Sequence, residues 1–121
     1  RDLRMSRGLG DVYKRQGFVY WCYRQAGATG PYMTTFGLVA KFAGTKYEVN
    51  DKNDLQPGDV IICNGIQHVV FYFGNGQTIG CSGGVSGTHG DNPNACVKFQ
   101  NYEQTYKHNT THIFRIPVEA Y

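Results

Sequence analysis

PGDVIICNGIQHVVFYFGNG, residues 57–76, is the stretch whose reading decides how this chain folds. Pro57-Gly58 suits the two central positions of a type II turn, because proline presets φ and glycine accepts a positive one. Asn64-Gly65 follows the apolar run Val60 to Cys63 and is a strong hairpin signal; Asn75-Gly76 repeats it before Gln77-Thr78-Ile79. Three antiparallel strands are therefore expected near residues 60–63, 67–73 and 77–80. Strand alternation puts His68, Val70 and Tyr72 on one face and Val69, Phe71 and Phe73 on the other. A titratable ring at the start of an apolar strand needs a physical reason, and the choice of reason decides the function.

Upstream, Gly17 to Ala26 (GFVYWCYRQA) reads as a helix. Phe18, Val19, Cys22 and Ala26 fall on one stripe at helical spacing, and Gly27 suits the residue after its end. Gly30-Pro31 is a break. Thr34 or Thr35 suits the cap of a second helix running through Phe42, with Leu38, Val39 and Phe42 inward and Gly44 as its stop. Tyr47 to Val49 reads as a short strand, and Asn50 to Gln56 as a polar surface connection. Downstream, residues 80–95 (GCSGGVSGTHGDNPNA) read as a long loop. Cys96-Val97-Lys98-Phe99 and His112-Ile113-Phe114-Arg115-Ile116 read as two further strands. No internal repeat appears.

At 121 residues the chain is one domain with room for a real core. No run reaches the ~18 apolar residues of a membrane span. The formal charge of +3 lies wholly in residues 1–16, which hold five basic and two acidic groups; the remaining 105 residues carry seven of each sign. A nucleic-acid partner has no support once that segment is set aside. Residues 1–16, RDLRMSRGLGDVYKRQ, have no apolar period and resemble the translation of a transposon-type sequencing adaptor. The codons GAT GTG TAT AAG AGA CAG encode Asp11 to Gln16, and Ser6-Arg7-Gly8-Leu9-Gly10 continue the match upstream. The alternative is a disordered basic arm. The expectation is a foreign, metagenomic leader over residues 1–16 and a domain over residues 17–121 that lacks its natural upstream part.

Four cysteines, Cys22, Cys63, Cys81 and Cys96, contain no C-x-x-C pair, so a zinc ribbon or thioredoxin-like site has no support. Cys63 and Cys81 suit buried strand thiols, and the spacing leaves their disulfide state open. His108-x-x-x-His112 has zinc-like spacing without accompanying ligands, so a solvated segment is the simpler reading. Gly80 to Gly87 lacks the G-K-[ST] of a phosphate loop. Asn109-Thr110-Thr111 is a formal glycosylation sequon that reads as chance. Neither metal nor cofactor is expected. Trp21, Tyr20 and Tyr32 suit a ligand groove, but aromatic residues this close to a helix are more often core.

A helix followed by this hairpin-rich sheet resembles the NlpC-type cysteine peptidases, papain-like enzymes that cut peptides in bacterial peptidoglycan. Three segments carry the resemblance. Gly17-Phe18-Val19-Tyr20-Trp21 matches the second half of the nucleophile motif, which opens D-C-S-G-F-V. Leu55-Gln56-Pro57-Gly58-Asp59-Val60 matches L-x-P-G-D followed by an apolar residue. His68-Val69-Val70-Phe71-Tyr72-Phe73-Gly74-Asn75-Gly76 matches H-V-G-I-Y-x-G-N-G. Their order and separations fit over residues 17 to about 84, with weaker support to Ile116. The run Ile79 to Gly84 looks most like variants in phage-tail cell-wall hydrolases.

The resemblance implies an α+β, papain-like fold with N-terminal helices packed on an antiparallel sheet of about five strands. It implies hydrolysis of a peptidoglycan stem peptide by a cysteine endopeptidase or amidase, secreted, wall-associated or carried on a phage tail, as a monomer or part of a larger hydrolase. His68 takes the place of the general base; the plainer reading is a core histidine bonded to backbone. Lys14, Arg15 and Gln16 stand where D-C-S belongs, so Arg15 occupies the nucleophile position and the chain as written is expected to be inactive. Arginine is neither a nucleophile nor deprotonable. The third, orienting position falls on Gly80, which has no side chain; Ser82 shares its strand face as a substitute, or a backbone carbonyl serves. Cys22 lies inside the helix and reads as core, since burial raises a thiol pKa. Two rival classes remain: a non-catalytic cell-wall or carbohydrate-binding module, and a small all-β structural domain.

Overall fold

Val60–Cys63, here β1, is buried along its whole length. Its unbroken apolar sequence follows from its place inside a sheet covered on both faces. The computed structural model describes residues 17–81 and 97–121. Around β1 run β2 (His68–Gly74), β3 (Gln77–Cys81), β4 (Val97–Asn101) and β5 (Thr110–Phe114). They form one antiparallel sheet in the order β4-β3-β2-β1-β5. With α1 (Phe18–Gln25), α2 (Thr35–Phe42) and the single turn α3 (Tyr102–Thr105), the architecture is α+β. Among the described residues no helix is long and apolar enough to cross a membrane.

The turns follow their residues. Gly58 has φ 94°, as a type II turn requires. Asn75 and Gly76, at φ 56° and 77°, form a two-residue link between β2 and β3. The first hairpin is longer than Asn64-Gly65 alone predicts. Register pairs Cys63 with His68, so four residues bridge the strands, and Ile66 joins Asn64 and Gly65 at positive φ. A β-branched residue rarely accepts that conformation, at a cost of about 1–3 kcal/mol. The Ile66 side chain packs against the main core, which offsets part of the cost.

α1 and α2 cover one face of the sheet. Val19, Tyr23, Leu38 and Phe42 pack there on Val60, Ile62, Val69 and Phe114. α2 keeps its expected cap: the Thr34 hydroxyl accepts from the Gly37 N–H at 3.1 Å. The stripe of α1 differs from the expected one. Ala26 is exposed and Cys22 only half-buried, while Tyr23 is buried. Its hydroxyl donates to the Ile116 carbonyl at 2.7 Å and its ring stacks on Tyr121 at 4.1 Å. Tyrosine serves here because its apolar ring fills the core while its hydroxyl finds a carbonyl. The expected strand at 47–49 is reduced to one bridge, Glu48 with Phe114. The last two strands begin and end within about two residues of the expected runs, β4 starting at Val97 and β5 ending at Phe114.

The opposite face is smaller and more aromatic. Ile61, Cys63 and Val70 are covered by Tyr102 and Tyr106, with Tyr72 alongside. Asn101 caps α3 by accepting from the Gln104 N–H at 2.9 Å. The i, i+4 spacing then turns both tyrosines onto the sheet.

Candidate functional site

His68 is the first residue of β2 and is half-buried. Its backbone is fixed by register with Cys63, whose thiol points at the His68 carbonyl at 3.7 Å. The loop before it is tied down as well. The Asn64 N–H donates to the Asn109 carbonyl at 3.0 Å, and the Gln67 N–H reaches the Cys63 and Asn64 carbonyls, each at 3.2 Å. The ring lies against Tyr106, centroids 5.6 Å apart and inclined by 34°. Its Nε2 is 3.4 Å from the Tyr106 hydroxyl oxygen. Burial disfavours the charged ring and lowers its pKa from 6.5. A neutral imidazole at neutral pH is the form that can accept a proton.

Tyr106 is itself well anchored and buried. Its N–H donates to the Tyr102 carbonyl at 2.9 Å. Its carbonyl accepts from the Thr110 hydroxyl at 2.9 Å, and that hydroxyl also contacts the Tyr102 hydroxyl at 2.9 Å. The sequence reading passed over this residue. The available signal was Asn101-Tyr102-Glu103-Gln104, a helix-start pattern with a capping side chain and Gln at the third position, followed by a second aromatic four residues after Tyr102.

Gly80 is buried in β3. A Cβ built there would lie 2.7 Å from Val70 Cγ1 and 3.1 Å from Val70 Cβ. The position lacks a side chain and lacks room for one while Val70 stands beside it. Arg15 and Ser82 lie outside the described residues.

The amino end of α1 sits at the same end of the sheet as His68. Phe18 packs with Cys81, the last residue of β3, and its ring meets Phe71 edge-on at 6.1 Å. Antiparallel pairing of Phe71 with Ile79 places the end of β3 beside the start of β2. The faces differ, however. Val69 and Phe71 turn toward α1, so alternation turns His68 to the side covered by Tyr106. Gly17, at the amino end of α1, has helical backbone angles.

The other thiols are poorly suited to nucleophilic work. Burial pushes Cys63 up to about 12 and Cys22 up to about 11. Cys81 is disulfide-bonded, which settles a pairing state that the spacing left open. His112 does not stand free as a ligand: its Nδ1 is 2.8 Å from Glu48 Oε2, and its ring stacks on Phe114. Tyr20 and Tyr32 meet edge-on at 5.2 Å, with Tyr32 exposed.

A search of curated proteins finds no match. Compared with known families, residues 12–115 match the NlpC/P60 family. That span takes in the helix, the P-G-D turn, the strand that His68 opens and the whole sheet. The chain belongs to the NlpC/P60 family, whose members act on peptidoglycan peptides in the manner of cell-wall peptidases.

Proposed function

We propose that this domain type hydrolyses a peptide or amide bond of peptidoglycan through a cysteine at position 15 and His68, and that the chain carrying Arg15 turns nothing over. The observation that carries the reading is family membership joined to one placement: His68 opens β2 at the sheet end where α1 begins. In this reading Lys14, Arg15 and Gln16, which match an adaptor translation, stand where the family's D-C-S belongs.

The chemistry follows from ordinary thiol reactivity. A free thiol of pKa ~8.5 is only a few per cent thiolate at neutral pH. The start of α1 favours the thiolate through the helix dipole. The imidazole takes the thiol proton; the thiolate attacks the amide carbon, and helix-start N–H groups hold the oxyanion. The imidazolium then protonates the leaving amine, and water cleaves the thioester.

One observation favours a second reading, a non-catalytic wall-binding module: the His68 ring occupies the sheet face that α1 does not cover. A single experiment separates the two. The variant Lys14→Asp, Arg15→Cys, Gln16→Ser should carry one thiol alkylated far faster than Cys22 or Cys63, and should release muropeptides from purified walls. Adding His68→Ala should abolish release while leaving the melting curve nearly unchanged. No fast thiol and no release in the repaired chain would overturn the peptidase reading.

A further inference from the structure

We propose that Tyr106 is the positioning residue for His68: its phenol oxygen accepts the Nε2–H and leaves Nδ1 as the ring nitrogen that takes up a proton. For its consequence this rests on the peptidase reading; its geometry stands alone.

Three observations carry it. First, Nε2 and the Tyr106 hydroxyl oxygen are 3.4 Å apart, a long bond of the kind that tightens when the ring becomes charged. Second, Tyr106 has little freedom to be elsewhere, being buried and held through its backbone by Tyr102 and Thr110. Third, the neighbouring strand offers no competitor at position 80, where Gly80 has no side chain and Val70 fills the space. Ring nitrogens are assigned by what the other one bonds. With Nε2–H directed at the phenol, the lone pair of a neutral ring lies on Nδ1. Proton uptake there gives an imidazolium whose Nε2–H still points at the same oxygen. The phenol keeps its own proton throughout, because a hydroxyl oxygen accepts without giving its hydrogen away.

The titratable groups on this side of the sheet are few. Within the hydrophobic cluster on this side, Cys63 on β1, Tyr72 on β2 and Tyr102 on α3 surround Val70 and Tyr106, and the Glu103 carboxylate on α3 acts electrostatically on Tyr102. The group that His68 Nε2 meets among the described residues is the neutral Tyr106 hydroxyl, which orients the ring without fixing a charge on it.

The test uses this chain as it stands. Nitrogen-15 NMR of the histidine rings reports which nitrogen of His68 is protonated. The parent should show the Nε2–H tautomer in clear excess. Tyr106→Phe keeps the ring and its packing but removes the oxygen, and should move His68 toward the mixture of a free imidazole. Tyr102→Phe, which removes a buried hydroxyl from the same turn without touching His68, should leave the tautomer ratio alone. In the repaired enzyme, Tyr106→Phe should lower kcat on the order of 10-fold or more, with KM changed about 2-fold at most. A tautomer ratio that ignores Tyr106→Phe, or a parent ring protonated at Nδ1, would overturn the inference. A ratio that shifts as expected in a repaired chain without turnover would uphold it and count against the peptidase reading alone.

Discussion

At the scale of single residues, the chemistry here is governed by burial. Cys63 and His68 face each other across one hairpin, and both are pushed toward their neutral forms by lost hydration. For His68 this has a thermodynamic sign. Its folded pKa lies below the unfolded 6.5, so between the two values the unfolded chain binds the extra proton. Stability contributed by the neutral ring is present above pH 6.5 and is lost as pH falls toward the folded pKa. In urea titrations from about pH 7.5 down to about pH 5, the parent should lose stability more steeply than His68→Gln. Equal slopes would mean that the ring is as well hydrated folded as unfolded.

Among the elements, what alternation and turn chemistry dictate was legible, and what distant contacts dictate was not. β1, β2 and β3 fell within a residue or so of the expected runs because Pro57-Gly58 and Asn75-Gly76 admit few backbone solutions. The length of the first hairpin was misread, since nothing local announces that Ile66 will take a left-handed conformation; the core that holds it is assembled from elsewhere. The stripe of α1 was misjudged for a related reason: Tyr23 turns inward to meet Ile116 and Tyr121, about ninety residues away in sequence. The candidate base was visible as a residue type out of place, whereas Tyr106 became meaningful only once α3 folded over the sheet. The Val70–Gly80 pair is a second relation that pairing alone reveals. The family motif has glycine where Val70 stands, and here the bulk sits on β2 and the gap on β3. Gly80→Ala should therefore destabilise by about 1–3 kcal/mol through overpacking. With Val70→Gly already present, the same change should cost clearly less, so a double-mutant cycle by urea unfolding should return a coupling of about 1 kcal/mol or more. Additive effects would show that β3 shifts freely to admit a methyl group.

For the molecule as a whole, the sheet is held to its surroundings by a charged clamp that the P-G-D turn supplies. Asp59 is 1% exposed. Its carboxylate accepts from Arg115 Nε at 2.9 Å and Nη2 at 2.8 Å, and from the Gln56 N–H at 2.9 Å. Arg115 also donates to the Asp54 carbonyl at 2.7 Å, and its own N–H donates to the Tyr47 carbonyl at 2.7 Å. One side chain thus joins the segment before β1, the turn into it and the chain leaving β5. The guanidinium is partly exposed, so the Coulomb term is screened, but the carboxylate is not. Losing the arginine strands a buried charge, which ordinarily costs about 3–5 kcal/mol, whereas replacing both partners by apolar residues often costs little. Arg115→Met should accordingly lower unfolding free energy by about 3 kcal/mol. Arg115→Lys should recover only part of that, because an ammonium does not reproduce the two-pronged contact. Urea midpoints of parent and variants at neutral pH would register these differences. A variant as stable as the parent at neutral pH would mean that water reaches Asp59 once the arginine is gone, and that the turn into β1 is held by backbone bonds and packing alone.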